Sequence, residues 1–439
     1  MHILLIEQLR TKETTYKPLE KFLLTSFSIL PTLYVRRISA ITPKEHQVTI
    51  LNERYLPLDL TKNYDLVVIH FTTAQSLKAY EVADTFRSKN IPVVLCGLHA
   101  TALPYEGLEH ADSILCGRGE ANWLSLLKDA EKNSLKKVYP VEPYENLPIQ
   151  IPPTNVNLPG FQLIGAIEAT RGCPYSCDFC PESNTEKGSF YFKRPVNEII
   201  EEIKSLPQKF FMFYDTSLTV DPVFTKELFT KMIPLKKKFF CNGNVDVLSK
   251  DEDLVALSKK AGCNGWLIGF ESISQETIQQ IKKYTNMVTV YKQTIDLIHK
   301  YKMMVIGDFM FGFDKDTPDV FMKTVNAIQN LGIDVADFTI ATPFPGTPYF
   351  DHLEQDGRII TRDWSKYNMY SVVYEPKLMT KNELQTGICK VYHEFYSPKN
   401  TLIRVARAFR LGWYPFFSVI NRNLISLFAS LKLSNKPEA

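Results

Sequence analysis

Two blocks of strand–helix alternation, parted by a proline-rich stretch, constrain the fold of this 439-residue chain more than any other feature. In the first block the runs HILLIE (2–7), QVTILN (47–52), DLVVIHF (65–71), PVVLCG (92–97) and SILCG (113–117) are aliphatic and bounded by polar or glycine positions. Such runs read as buried strands. Between the third and fourth, SLKAYEVADTFRSKN (76–90) sets Ala79, Val82, Ala83 and Phe86 on one helical face. Strands joined through helices lie parallel, in a doubly wound, Rossmann-like sheet that binds ligands beyond the strands' carboxyl ends. Residues 138–160, VYPVEPYENLPIQIPPTNVNLPG, have no helical period and read as an extended linker.

The second block repeats the pattern six times. IGAIEAT (164–170), KFFMFYD (209–215), KFFCNGN (238–244), GWLIGFES (265–272), MMVIGDFMFGF (303–313) and VADFTIATPF (335–344) alternate with helical stretches such as VNEIIEEIKSL (196–206), DEDLVALSKKAG (251–262) and TVYKQTIDLIHKYK (289–302). Six repeats predict a partial TIM-type (β/α)6 barrel with its site at the carboxyl ends of the strands. The expected organisation is an α/β domain over 1–135, a linker over 136–160, a barrel over 161–384 and a helical region over 385–439. In the last of these, residues 401–433 mix arginines with Phe, Trp and Leu, and Pro415, Asn421 and Asn423 are expected to interrupt the helix.

The start, MHILLIEQLRTKE, lacks a small-residue cleavage site and reads as a first buried strand, not a signal peptide. No run of 18 apolar residues suggests a membrane-spanning helix. A net charge of +3 is too small to imply nucleic acid. The expectation is a cytoplasmic protein, in which clustered cysteines mean metal or catalysis.

Only three of the eight cysteines cluster. ATRGCPYSCDFCPES (169–183) holds Cys173, Cys177 and Cys180 in a C-x3-C-x2-C spacing just after a strand, where Gly172 and Pro174 force a loop. Three thiols are one short of a structural zinc site, and no histidine lies between 170 and 240 to complete one. A thioredoxin-like site would need C-x-x-C alone. A 4Fe–4S cluster on three thiolates, with one iron left for another ligand, satisfies the count. Cys241, Cys263 and Cys389 stand singly and read as buried apolar thiols.

This cysteine spacing, with Phe179 before the last thiol and TRGCPYSC leading in, resembles the radical S-adenosylmethionine (SAM) superfamily. The resemblance implies that SAM chelates the open iron, and that an electron from the cluster splits it into methionine and a 5'-deoxyadenosyl radical that takes hydrogen from unactivated carbon. FMFYDTSLTVDP (211–222) and IGFESISQETI (268–278) are similar to the family's later strands, which implies that Phe179, Asp215, Glu271 and Ser272 lie at SAM. MFGFDKDT (310–317) and TPFPGTP (342–348) resemble strand ends that wall the pocket.

The first domain resembles that of the cobalamin-binding class of the same superfamily. The likeness runs through TAQSLKAYEVADTFRSKNIPVVLCGLHATALPYEGLEHADSILCGRGEANW (73–123) and implies a cobalamin edge at Thr72, Thr73, Gly97, His99, Gly117 and Gly119. Two residues depart from the pattern: Cys96 stands where a second glycine is usual, and Arg118 where an acidic residue is usual. The D-x-H-x-x-G signature of histidine-on-cobalt binding is absent, which implies cobalamin held without a histidine ligand from this domain. Together the resemblances imply a cobalamin-dependent radical SAM enzyme, with methyl transfer to a small, lipid-like or hydrophobic substrate as the leading reaction and an external donor such as flavodoxin or ferredoxin. Ring formation, ring contraction or oxidation of the hopanoid or tetrapyrrole type is the alternative, and a cobalamin sensor with a structural cluster is a further one. The aromatic, basic tail has two readings, simple packing on the barrel or peripheral contact with the inner membrane surface.

Overall fold

The computed structural model describes residues 1–9, 27–29, 33–53, 57–142, 161–184 and 190–433. Their strands, in chain order, are β1 (His2–Gln8), β2 (Phe27–Ile29), β3 (Gln47–Asn52), β4 (Leu66–His70), β5 (Val93–Cys96), β6 (Ser113–Leu115), β7 (Val138–Tyr139), β8 (Phe161–Ile167), β9 (Thr170–Gly172), β10 (Tyr191–Lys193), β11 (Phe210–Phe213), β12 (Lys238–Asn242), β13 (Cys263–Glu271), β14 (Met304–Phe311) and β15 (Val335–Ile340).

The first block forms a parallel sheet in the order β3-β1-β4-β5-β6-β7. Ile3–Ile6, Leu66–Ile69 and Val93–Cys96 are buried throughout, as continuous apolar runs covered on both faces must be. One face packs against Ala79, Val82, Ala83 and Phe86 of the helix Ser76–Arg87, as the helical spacing predicts. The other packs against Trp123, Leu126 and Leu127 of the helix Glu120–Glu131. The strand order reverses between β1 and β4, and such a switch point opens a crevice at the carboxyl edge. The linker stretch begins as β7 on the outer edge of this sheet, and residues 143–160 lie outside the described residues.

The second block forms a curled parallel half-barrel in the order β15-β14-β13-β12-β11-β8-β2. Its six expected strands are present. The seventh, β2, has no counterpart in the sequence reading: three residues from between β1 and β3 cross over and pair with β8. Outward side chains such as Val305, Phe309, Phe311, Phe338 and Trp266 build the large core under the surrounding helices. On the concave face Met304, Ile306 and Val335 pack against Ala408, Leu411 and Val419 of the tail, so the tail plugs the amino-terminal half of the half-barrel.

The tail is less interrupted than its sequence suggests. After the helix Pro398–Ala408, one helix runs from Trp413 to Leu433. Pro415 falls in the first turn, where a missing N–H breaks no helical bond. Asn423 is buried, its amide donating to Asp334 O at 3.0 Å and Val419 O at 2.9 Å while its oxygen accepts from Arg404. No described helix is long and apolar enough to cross a membrane.

Candidate active site

The three clustered cysteines lie on the loop that follows β9, at the carboxyl end of the first barrel strand. β9 pairs antiparallel with β10, and Gly172, at φ +75°, allows the tight exit: a Cβ there would meet Phe190 O at 2.3 Å. Three side chains and one backbone amide fix the loop. Asn184 donates to the carbonyls of Cys177 (2.9 Å) and Cys180 (2.7 Å). Thr216 donates to Gly172 O at 2.8 Å, Lys282 pairs with Asp178 at 2.9 Å, and Tyr349 N donates to Asp178 O at 3.0 Å. None of the eight cysteines is in a disulfide, and Cys241 and Cys263 lie buried with sulfurs 4.0 Å apart. Cys389 is only partly buried.

Burial pushes the Cys177 thiol up to about 12 and raises Cys173 and Cys180 too, while the Lys283 ammonium works in the opposite direction on all three. Lys283 bonds Glu271 at 3.2 Å. Burial acts to lower Lys283, but Glu271, Cys177 and Cys180 outweigh it and hold the lysine above its usual range. A fixed cation beside three thiols suits them to become thiolates when a positively charged centre arrives. Among the described residues no three His, Cys, Asp or Glu groups converge on a single-ion position. The donor set fits an iron–sulfur cluster in chemistry: three unpaired thiols on one anchored loop, with a compensating lysine.

Asp215 follows β11 and is buried. It accepts from Ala169 N (3.0 Å), Thr170 N and the Thr170 hydroxyl (2.6 Å). Burial pushes its carboxyl up to about 7 against these donors. Glu271 ends β13 at a register shift and has φ +61°. Its carboxylate fills the space a side chain on Gly269 would need, 2.4 Å from a Cβ there. Ser272 is buried and accepts from Ser274 N at 3.1 Å. The Phe179 ring rests 6.1 Å from that of Phe313.

A left-handed backbone costs a residue with a Cβ about 1–2 kcal/mol, and such strain persists where function requires the side chain. Glu271→Gly and Glu271→Ala both lose the Lys283 bond, so comparing them isolates the backbone cost. The glycine variant is expected to be the more stable by about 1 kcal/mol in urea unfolding; equal midpoints would remove the strain argument.

On the concave face, β-sheet register puts Gly269, Asp308 and Asp337 side by side, one row beyond the residues the tail covers. Asp337 bonds Arg422 of the tail helix at 2.8 Å. Burial, with the carboxyls of Asp337 and Glu271 close by, holds Asp308 well above the usual carboxylate range. This row was not foreseen, because only strand register identifies which acids share a chamber.

In the first sheet the expected edge residues follow β4, β5 and β6 on the carboxyl side of the strands. Thr72 is exposed and bonds Gln75, Thr73 is buried, and Gly97, Gly117 and Gly119 all have positive φ. A Cβ on Gly97 would meet Phe71 O at 2.4 Å, so bare backbone is required there. The Cys96 thiol points into the sheet, donating to Ile69 O. His99 is turned inward: its ring lies 5.2 Å from that of Trp364, and its Nε2 is 3.3 Å from Glu106, which also accepts from Trp364 Nε1 and Tyr80 OH at 2.9 Å.

The two sheets meet at a buried ionic seam. Glu168, between β8 and β9, pairs with Arg37, Arg118 and Arg171. Arg118 also reaches Glu182 at 3.3 Å, two residues past Cys180, and Arg171 reaches Glu120 at 3.1 Å. The guanidinium that departs from pattern therefore ties the Gly117–Gly119 turn to the cysteine loop. Glu168, Asn184 and Lys283 carry no motif of their own, and only folding reveals them.

A family model described as the radical SAM superfamily matches residues 167–343. Bacteriochlorophyllide d C-12(1)-methyltransferase of Chlorobaculum tepidum is 28% identical over 398 residues, which span 87% of this chain and 86% of the relative. The C-8(2)-methyltransferase acting on bacteriochlorophyllide d in that organism is 30% identical over 398 residues, spanning 84% and 86%. The structure of the radical S-adenosylmethionine methyltransferase TsrM from Kitasatospora setae, with cobalamin and a 4Fe–4S cluster bound, matches with a TM-score of 0.72 at 14% identity, over 98% of this chain and 99% of that one. The chain therefore belongs to the radical SAM superfamily, with the fold of a member solved with cobalamin bound.

Proposed function

We propose that this enzyme is a cobalamin-dependent radical SAM methyltransferase acting on an unactivated carbon of a hydrophobic small molecule. The observation that carries the reading is the seam at Glu168, which holds the three-thiol loop against the carboxyl edge of the first sheet, at the turn after β6. When bound, the cluster with SAM would supply a hydrogen-abstracting 5'-deoxyadenosyl radical, and cobalamin the transferable methyl group. Cys173, Cys177 and Cys180 would hold the cluster. Phe179, Asp215, Glu271 and Ser272 would frame SAM. Thr72, Thr73, Gly97, His99, Gly117 and Gly119 would line the cobalamin edge, with His99 held off the metal by its contacts to Glu106 and Trp364.

This chain's residues contribute placement and charge. Lys283 offsets negative charge at the thiols, and Glu271 fixes Lys283. The concave row of Gly269, Asp308 and Asp337 opens towards the strands' carboxyl ends, and we assign it to the substrate. Asp308, pushed towards its protonated form by burial, would offer an O–H to a polar group of an otherwise apolar molecule. The relatives that methylate bacteriochlorophyllide d make a hydrophobic tetrapyrrole the first compound to try. An external one-electron donor of the flavodoxin or ferredoxin kind belongs to the same reading. So does a cytoplasmic location with peripheral contact of the tail at the inner membrane.

The test is anaerobic reconstitution with iron, sulfide and cobalamin, then SAM, dithionite and bacteriochlorophyllide d. 5'-Deoxyadenosine together with S-adenosylhomocysteine is expected. 5'-Deoxyadenosine without S-adenosylhomocysteine would replace methyl transfer by another radical reaction, and neither product from a fully loaded protein would end the enzyme reading.

A further inference from the structure

The tail helices have two unlike faces. Inward, Thr401, Arg404, Ala408, Val419 and Asn423 are buried; Arg404 stacks 3.8 Å from the Phe395 ring and bonds Asn423 at 2.9 Å. Outward, the same helices expose Leu402, Phe409 (70%), Trp413 (66%), Phe417 and Ile425. These are not scattered. The Trp413 and Phe417 rings are 4.5 Å apart, and Phe416 joins Phe417 (5.8 Å) to Phe409 (5.5 Å). Clustered exposed aromatics on a folded protein mark a surface that meets something.

Charge says what that is. From Phe395 to Lys436 the sequence has seven basic residues and no acidic one. Lys399 and Arg410 are without an ion pair among the described residues, and Lys209 and Lys238 stand over the exposed Tyr414 ring at 5.9 and 5.6 Å. The aromatic patch is thus rimmed by cations at the end of the half-barrel opposite the cysteine loop. A second copy would bring like charges together, which disfavours self-association. Aromatic rings ringed by Lys and Arg suit an interface of acyl chains and anionic headgroups.

We infer that the outward face of the tail docks on an anionic bilayer surface, with Phe409, Trp413 and Phe417 at headgroup depth and Arg410, Lys209 and Lys238 on the phosphates. This deepens the peripheral contact named above, and it is read without turnover, so it stands or falls separately from the chemistry. Docked so, the protein keeps its catalytic edge turned away from the lipid.

The full-length protein is mixed with phosphatidylglycerol–phosphatidylcholine vesicles or with pure phosphatidylcholine vesicles, and sedimented. Trp123, Trp266 and Trp364 are buried, so Trp413 reports contact by its own emission. Co-sedimentation with the anionic vesicles alone, a blue-shifted emission and quenching by brominated lipid are expected. The shift should vanish in Trp413→Phe, which keeps most binding, and Arg410→Glu should weaken binding at least about fivefold. Unchanged melting curves would show that both variants fold. Three outcomes overturn the proposal: no sedimentation with either vesicle, binding indifferent to Arg410→Glu, or a concentration-dependent dimer broken by Phe417→Ser.

Discussion

Replacing Cys177 by alanine is expected to abolish both 5'-deoxyadenosine and S-adenosylhomocysteine formation while leaving a folded protein. Cys177 is the one buried residue of the three clustered cysteines, and Lys283, Cys180, Glu271 and Cys173 all act on its thiol. Two thiols cannot hold three corners of a 4Fe–4S cluster, so iron content should fall along with both products. Alanine removes one sulfur and leaves the loop's backbone bonds to Asn184 and Thr216 in place, so the melting temperature of the unloaded protein should barely change. Retained product formation would sink the cluster assignment. Asn184→Ala makes the graded companion. It leaves all three sulfurs but frees the carbonyls of Cys177 and Cys180, and a loss of about 10–100-fold, the range for residues that orient ligands, is expected.

Glu168→Gln should be the most destabilising single change outside the apolar core. The carboxylate is buried among three guanidiniums. Burial alone would raise its pKa, but Arg37, Arg118 and Arg171 override that and hold Glu168 well below the usual carboxylate range. Removing one member of a buried ion set leaves the others uncompensated and costs about 3–5 kcal/mol. A glutamine keeps the shape, so the loss measured in urea is a loss of charge pairing. The pH dependence follows from the depressed pKa. The contribution is present at neutral pH, persists above the unfolded carboxylate's range, and is lost as acid protonates Glu168. The wild type should therefore weaken on acidification more steeply than Glu168→Gln. Parallel stability curves for the two proteins would show that the seam is not a stabilising device.

The strands, the barrel and the thiol triad were legible because each leaves a local trace: aliphatic runs, helical spacing, and three cysteines in eight positions. What escaped depends on contacts distant in sequence. Arg118 looked like a departure within a glycine turn, and only the approach of the second sheet shows Glu168 and Glu182 waiting for it. In sequence His99 reads as part of the cobalamin edge, and only folding shows its ring packed against Trp364, far along the chain. Pro415 and Asn423 were read as breaks because propensity ignores position and partner. In the folded tail one sits in the first turn and the other is buried with its amide satisfied.

The short strand β2 changes how the two sheets can be thought of as modules. The chain leaves the first sheet after β1, lays Phe27–Ile29 against β8, and returns to form β3. The halves are therefore interlaced. Cleaving the peptide between 143 and 160 would not release two independent proteins, and expressing residues 1–135 alone would leave an orphan strand while stripping the barrel of its edge. Recombining this first sheet with a relative's barrel should succeed only if the β2 excursion travels with the barrel that receives it.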